Sequence, residues 1–109
     1  MADVAEDAER SSFLFAHLIA MFETLALQQL GKLVNPISGE STPDLRQARI
    51  TIDMLAMIRE KTSGNLSAEE RSLLDAVLIE LQMNYVDESK RAEAAAPGEH
   101  GPEGDTEDA

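Results

Sequence analysis

Residues 61–65, KTSGN, bring together a lysine, two hydroxyls and a glycine, which are the residue types of a phosphate-binding loop. Such a loop needs a strand, a glycine-rich turn and then Gly-Lys-Ser/Thr leading into a helix. The order here is different, and no strand pattern precedes the segment. The free N–H groups of a following helix could attract an anion, but Glu69 and Glu70 already occupy that position. The pattern therefore favours a helix-capping turn over a phosphate site.

The other residues that could do chemistry are isolated or scattered. His17 has no cysteine or serine–base arrangement near it, so it is interpreted as a surface or interface histidine and not as a catalytic base. Asp53 interrupts an apolar string and is predicted to make a structural hydrogen bond. Carboxylates recur on every predicted helix, but a di-metal bundle also needs Glu-x-x-His pairs, and the sequence has none. These carboxylates are Glu23, Asp53, Glu60, Asp75 and Glu80.

Composition narrows the functions further. The 109 residues contain no cysteine and two histidines, which excludes disulfides, thiolate metal sites and histidine-rich metal sites. The net charge is −12, and most of it lies at the two ends. Residues 1–10 and 88–109 are also poor in large apolar groups, so both are predicted to be disordered acidic tails around one domain of residues 11–87. No catalytic site, metal or cofactor is predicted.

The charge distribution also bears on partners. Nucleic acid binding is not expected, because the acidic tails repel phosphate and the basic residues of the second predicted helix alternate with acids. The longest apolar run, FLFAHLIAMFETLAL, is shorter than a bilayer requires and lacks the basic flank of a membrane-surface helix. The acidic N-terminus does not resemble a signal peptide. We therefore expect a soluble, cytoplasmic protein that binds neither nucleic acid nor membrane.

The spacing of apolar residues predicts an all-α fold. A long apolar helix is expected over about residues 12–31, and its apolar residues form two neighbouring stripes that cover half of the circumference or more. One stripe comprises Leu14, Leu18, Met21 and Leu25, and the other comprises Phe15, Ile19, Phe22, Ala26, Leu30 and Leu33. A single helical hairpin is too narrow to cover both stripes.

The second half of the chain predicts that hairpin, with helices over about residues 43–63 and 67–87. A connection of three or four residues forces the two helices to run antiparallel. Each helix has one core stripe at helical spacing. The stripes are Leu45, Ala48, Ile52, Leu55 and Ala56 on the second helix, and Leu74, Val77, Leu78, Leu81 and Tyr85 on the third.

Capping residues set the ends of the hairpin helices. Thr42 is the predicted N-cap of the second helix, with Pro43 at the first helical position. Gly64 is expected to end that helix in a left-handed conformation. Ser67 and Glu70 are three residues apart and predict an S-x-x-E capping box at the start of the third helix. Residues 60–70 are therefore interpreted mainly as the end of one helix and the start of the next.

The central part of the chain resembles a known family. It reads A-R-x-x-I-D-M-L over residues 48–55, E-K-T-x-G-N-L-S-x-E-E over 60–70, and L-x-x-x-L-x-E-L-x-M-x-Y over 74–85. This pattern is similar to a bacterial family of small helical proteins defined only as a domain of unknown function, number 1844, and the similarity covers residues 12–86. The resemblance implies a helical fold and no established activity. Ser63 and Gln82 stand where basic residues are expected, which weakens an anion site.

The excess of apolar surface leads to a functional prediction. Opposite the core stripe of the second helix, Ile50, Met54 and Met57 fall at i, i+4 and i+7 and form a second apolar strip. Exposed patches of this kind usually mark an interface, and a symmetric homodimer is the commonest solution. We predict a non-enzymatic, self-associating protein-interaction module that assembles into a helical bundle. The predicted interface is Leu14, Leu18, Met21, Leu25, Ile50, Met54 and Met57.

Two alternatives stay open at this stage. The loop of residues 31–42 contains Leu33, Val34 and Ile37 and could fold back over one of the apolar strips. A regulatory helical domain could also bind a small apolar ligand between the first helix and the hairpin. An unidentified protein partner other than a second copy is compatible with the same surface.

Overall fold

The computed structural model describes residues 2–34, 37, 39 and 42–95. Within them the chain forms three helices, α1 (Ala2–Gln29), α2 (Leu45–Lys61) and α3 (Ala68–Ala95), and no strand. The all-α prediction is therefore confirmed. Of the predicted acidic tail of residues 88–109, residues 96–109 lie outside the described residues.

Two contacts far apart along the bundle fix the direction of α1 relative to α3. Ser12 of α1 donates a hydrogen bond to Glu70 near the start of α3. Lys32, just beyond α1, forms an ion pair of 2.6 Å with Glu88 towards the other end of α3. Because both contacts occur in the same order along the two helices, α1 and α3 are parallel. The intervening α2 runs in the opposite direction, as the predicted antiparallel hairpin requires.

All three helices pack on one another around a single core. The buried apolar side chains come mainly from the predicted stripes: Ile19, Ala26, Leu30, Ala48, Ile52, Leu55, Leu74, Val77, Leu78 and Leu81. Ala56 and Leu33 were also placed in stripes but are exposed. Thr51 is buried although it is polar, and its hydroxyl donates a hydrogen bond of 2.6 Å to Gln29 Oε1. That bond satisfies a hydroxyl that would otherwise be costly to bury.

The two outer helices are longer than the sequence pattern predicted. α1 begins at Ala2 and not near residue 12, and residues 5–11 form an exposed helical extension. α3 continues past residue 87 to Ala95. Alanine and glutamate are favourable in helices, so a helix that is already nucleated in the domain extends through such residues without a core to cover them. Residues 5–11 are therefore an exposed part of α1.

The predicted N-cap of α2 is wrong by two residues. Thr42 and Pro43 precede the helix, and Asp44 is the N-cap, with its carboxylate accepting a hydrogen bond of 3.2 Å from the Gln47 N–H. The reason is a contact with α1: the Asp44 N–H donates a hydrogen bond of 2.7 Å to the Gln29 carbonyl. This contact fixes Asp44 against the end of α1, so the first helical residue is Leu45.

The predicted turn between α2 and α3 is confirmed. Gly64 has φ +86°, a left-handed conformation that L side chains rarely adopt. The capping box forms reciprocally, with the Ser67 N–H donating to Glu70 Oε1 at 2.8 Å and the Glu70 N–H donating to Ser67 Oγ at 3.1 Å. The Thr62 hydroxyl adds a hydrogen bond of 2.7 Å to the Ile58 carbonyl at the end of α2.

Candidate functional site

The predicted interface residues are large apolar side chains exposed to solvent. Their exposed fractions range from 40% to 58%, whereas the buried core residues of the same two helices are at most 5% exposed. We call these residues the α1–α2 face: Leu14, Leu18, Met21, Leu25, Ile50, Met54 and Met57. Exposure of a whole stripe on two helices is unusual, because soluble monomers generally expose apolar residues singly.

The α1 strip and the α2 strip of this face lie on either side of the line along which α1 and α2 pack together, which we call the α1–α2 boundary. The hydrogen bond between Thr51 and Gln29 crosses from α2 to α1, and we call it the seam bond. Leu25 is one turn before Gln29 on α1, and Met54 is one turn after Thr51 on α2. Residues three or four apart share a side of a helix, so Leu25 and Met54 both border the boundary that the seam bond crosses.

Because α1 and α2 are antiparallel, the heights of these residues, meaning their positions along the bundle axis, can be compared from the seam bond. Moving back along α1 and forward along α2 leads away from the seam bond in the same direction. At about 1.5 Å per residue, Leu25 and Met54 lie about 6 and 4.5 Å from it, and Met21 and Met57 about 12 and 9 Å. Met21 and Leu25 of α1 therefore lie at nearly the same levels along the bundle as Met57 and Met54 of the adjacent α2.

This surface is large for a chain of this size. The exposed fractions in the α1–α2 face correspond to about 600 Å² of apolar surface, the upper end of the roughly 300–600 Å² that single patches reach on monomers. A standard interface buries about 800 Å² per partner. The face therefore supplies most of the area that one partner contributes to a standard interface.

The loop after α1 does not cover the face. Leu33 and Val34 were candidates to fold back over it, and they are 39% and 57% exposed. Every residue of the α1–α2 face is still at least 40% exposed with this loop in place. The described part of the loop therefore leaves the face open.

A third apolar strip lies on α3, and the sequence interpretation missed it. Ile79, Met83 and Val86 are 50% to 66% exposed, and we call them the α3 strip. Their i, i+4, i+7 spacing is the same signal that marked Ile50, Met54 and Met57, so it was available in the sequence. Ile79 lines a concave site with Arg59 of α2, which places the α3 strip beside the α2–α3 boundary and away from the α1–α2 face.

The arginines around the α2–α3 turn are paired within the chain. A concave site of about 330 Å³ there is lined by Arg59, Thr62 and Arg71, among others. Both arginines pair with Asp75, Arg59 through a direct hydrogen bond and Arg71 at 3.9 Å. The Arg59 guanidinium holds the pKa of the Asp75 carboxyl below its usual value. The Asp75 carboxylate therefore offsets part of the positive charge that an anion would need.

One pair of carboxyl groups meets across the α1–α3 boundary. Glu23 is half-buried, and its pKa is raised first by a hydrogen bond with the Glu80 carboxyl, then by burial and by charge repulsion from Glu80. Two carboxyl groups alone do not hold a metal ion. In the residues that the structure describes, no group of three or more His, Cys, Asp or Glu side chains is arranged to bind one.

His17 and Asp53 lie on the surface. The His17 ring stacks against Phe13, with ring centroids 6.2 Å apart on the outer side of α1. The Asp53 carboxylate is 3.9 Å from Arg49 Nε in an exposed i, i+4 ion pair. This ion pair on the surface of α2 stands in place of the structural hydrogen bond expected for Asp53.

The space where the ligand alternative would place a pocket is filled. Ile19, Leu30, Leu55, Leu74 and Leu81 occupy the centre between α1 and the hairpin, and none has exposed surface. The concave sites described here are on the α2–α3 side, about 310 and 360 Å³, and along the outer side of α1, about 400 Å³. None of these sites lies between α1 and the hairpin.

One helix also meets a membrane criterion. The segment Ala5–Gln29 of α1 is long and apolar enough to cross a bilayer by length and composition alone. The helix that forms is longer than the apolar run on which the expectation was based. Core helices of soluble domains and signal sequences meet the same criterion. In this fold Ile19 and Ala26 of the segment belong to the core shared by all three helices.

The fold and this surface define a small three-helix domain with one large exposed apolar face. Over residues 12–88 the sequence matches the family model described as Domain of unknown function (DUF1844). The chain therefore belongs to this family, as the sequence pattern suggested. No curated protein and no solved structure matches it.

Proposed function

We propose that the protein is a non-enzymatic self-association module whose α1–α2 face binds the same face of a second copy. The observation that carries the proposal is the pair of exposed apolar strips on two adjacent antiparallel helices. A two-fold axis through this face would pack two helices of each chain against two of the other. Four helices in that arrangement resemble a four-helix bundle, with α3 on the outside of each chain.

The composition of the face favours a second copy over a charged partner. None of its seven residues is charged, and its area is about three-quarters of what one partner contributes to a standard interface. A self-complementary contact needs only that leucine and methionine side chains interdigitate, as they do in a core. The flanking α1 extension is acidic, which opposes binding to an anionic membrane surface.

The proposal is tested by placing charges in the face. Ile50→Glu together with Met54→Glu would bury two unpaired carboxylates per chain in the interface, which is strongly unfavourable. Size-exclusion chromatography with light scattering at micromolar concentration is expected to give the mass of two chains for the wild type and of one chain for this variant. Circular dichroism of each sample reports whether the helices are intact.

The α3 strip supplies a matched control. Ile79→Glu with Met83→Glu introduces the same charges at the same i, i+4 spacing on an equally exposed helix, and the expected mass is that of two chains. A wild type with the mass of one chain contradicts the proposal. If the α2 variant stays dimeric, Leu18→Glu with Met21→Glu tests the α1 half of the face, and a dimer in both cases also contradicts it.

A further inference from the structure

Three of the five methionines in the chain are on the α1–α2 face. Met54 and Met57 are on successive turns of α2, and Met21 lies across the boundary on α1 at nearly the same height as Met57. All three have exposed sulfur-bearing side chains in the single chain, with exposed fractions of 58% for Met21, 40% for Met54 and 44% for Met57. The fold therefore presents three exposed thioethers on two adjacent helices.

The chain has few other side chains that hydrogen peroxide could oxidise in place of these methionines. There is no cysteine, so no thiol can react first or form a disulfide. Methionine is then the residue type most readily oxidised by two electrons. Any response of this protein to a peroxide is a response of its methionines.

We propose that Met21, Met54 and Met57 form an oxidation site through which hydrogen peroxide dissociates the dimer. This inference rests on the proposed function, because it assigns a regulatory role to the same face. The thioether sulfur attacks one peroxide oxygen, an S–O bond forms and the O–O bond breaks. The sulfur loses two electrons to give the sulfoxide, and the peroxide is reduced to water.

The methionine sulfoxide that forms is strongly unfavourable in an interface that excludes water. A sulfoxide is polar and accepts hydrogen bonds, and the α1–α2 face offers no donor among its seven side chains. Each dimer would bury six such groups without partners. Oxidation takes place on the dissociated chain, in which the face is open, and the oxidised chain is then removed from the association equilibrium.

Met83 provides a control within the chain. It is the most exposed of the four methionines on the helices, at 66%, and it belongs to the α3 strip. Peroxide is expected to oxidise it at least as readily, but its sulfoxide stays in solvent on the far side of the bundle. Oxidation of Met83 alone should leave the association constant unchanged.

The test treats the full chain with dilute hydrogen peroxide and maps sulfoxides by peptide mass spectrometry. Light scattering and sedimentation then give the dimer dissociation constant. Oxidation at Met21, Met54 and Met57 is expected to raise this constant at least about 100-fold with helicity retained. Methionine sulfoxide reductases for both epimers are expected to restore the original value.

Two variants show which methionines are responsible for dissociation on oxidation. Met83→Leu is expected to respond to peroxide as the wild type does. Met21→Leu with Met54→Leu and Met57→Leu is compared only with its own untreated sample, and its dissociation constant is expected not to change on treatment. A triple variant that dissociates as the wild type does overturns the inference.

The remaining outcomes show whether the oxidation inference fails alone or together with the proposed self-association. An untreated wild type with the mass of one chain overturns the proposed function and this inference together. An untreated dimer that stays dimeric with all three sulfoxides present overturns this inference alone. Dissociation accompanied by loss of helicity also overturns it, because the oxidation would then act by unfolding.

Discussion

The hydroxyl of Ser12 donates a hydrogen bond of 2.6 Å to Glu70 Oε2, 58 residues further along the chain. The other oxygen of the same carboxylate accepts the Ser67 N–H of the capping box. One side chain therefore both starts α3 and joins it to α1. The Ser12 hydroxyl, followed by the Ser67 N–H, lowers the pKa of the Glu70 carboxyl.

Removing this hydroxyl should weaken the link between the helices. Ser12→Ala is expected to lower the melting temperature by a few degrees, because a tertiary hydrogen bond to an ionised carboxylate is lost while the cap itself stays. It should also raise the pKa of Glu70, which NMR titration of the carboxyl carbon can follow. The neighbouring Ser11→Ala, at an exposed position of α1, is the control. An unchanged Glu70 pKa in the Ser12 variant would contradict the assignment.

The pH dependence of stability follows from the same carboxylates. Glu70, Asp75 and Glu88 have lowered pKa values in the fold, chiefly through Ser12, Arg59 and Lys32 respectively. A lowered pKa stabilises the fold above the pKa of the unfolded chain, and this contribution is lost as the pH falls through the folded value. We therefore expect the free energy of unfolding to decrease on acidification in this range, measured by urea titration.

Glu23 is expected to have the opposite effect on the pH dependence of the free energy of unfolding. Its pKa is raised by the Glu80 carboxyl and by burial, so its contribution is fully present below the unfolded pKa and is lost as the pH rises through the folded value. Glu23→Gln is expected to raise the melting temperature at pH 7, since a neutral amide can donate to Glu80 without repulsion. The exposed Glu60→Gln is the control. A Glu23 variant less stable than the wild type at pH 7 would refute this account.

Most of the fold could be predicted because its signals are local. Apolar periodicity placed the three core stripes, and the turn chemistry of Gly64, Ser67 and Glu70 placed the hairpin. The N-cap of α2 could not be predicted, because Asp44 is held by the Gln29 carbonyl, a contact between residues that no local pattern relates. The same applies to Thr51, whose burial depends on the Gln29 side chain across the boundary.

The candidate site shows the same division. The seven residues of the α1–α2 face were selected as surplus stripes on a helical wheel, and all seven are exposed in the structure. That the stripes of α1 and α2 adjoin depends on the direction and rotation of the packed helices, which the seam bond reveals. The α3 strip was missed although its spacing was equally clear.

The extensions of α1 and α3 allow a prediction about truncation. Deleting residues 1–10 should reduce the helical signal in circular dichroism, because these residues extend α1, yet leave the melting temperature nearly unchanged, because residues 5–11 are exposed. Truncation after residue 87 should lower the melting temperature, because it removes Glu88 and its contact with Lys32. Truncation after residue 89 is the matched control. Equal melting temperatures for the two C-terminal truncations would show that the ion pair contributes nothing measurable.

Two glycines with the same backbone conformation but different surroundings give the last prediction. Gly31 and Gly64 have φ of +80° and +86°, so an alanine at either position is strained by about 1 kcal/mol or more. A Cβ on Gly64 meets nothing within 4 Å, whereas a Cβ on Gly31 would lie 2.8 Å from Pro43 Cγ. Gly31→Ala should therefore cost clearly more stability than Gly64→Ala in urea denaturation, because it also pushes Pro43 and the start of α2 away from α1.

The proline contact can be separated from the backbone strain by a second substitution. Pro43→Ala removes the ring that a Cβ on residue 31 would meet, so Gly31→Ala should cost less in the Pro43→Ala background than in the wild type. In that background its cost is expected to approach that of Gly64→Ala, which measures the positive φ alone. Pro43→Ala combined with Gly64→Ala is the control, and its effects should add because the two sites share no contact. If both glycine substitutions lower the free energy of unfolding equally in the wild type, the start of α2 can move away from a Cβ on residue 31 without loss of stability. Pro43 then does not fix where α2 begins.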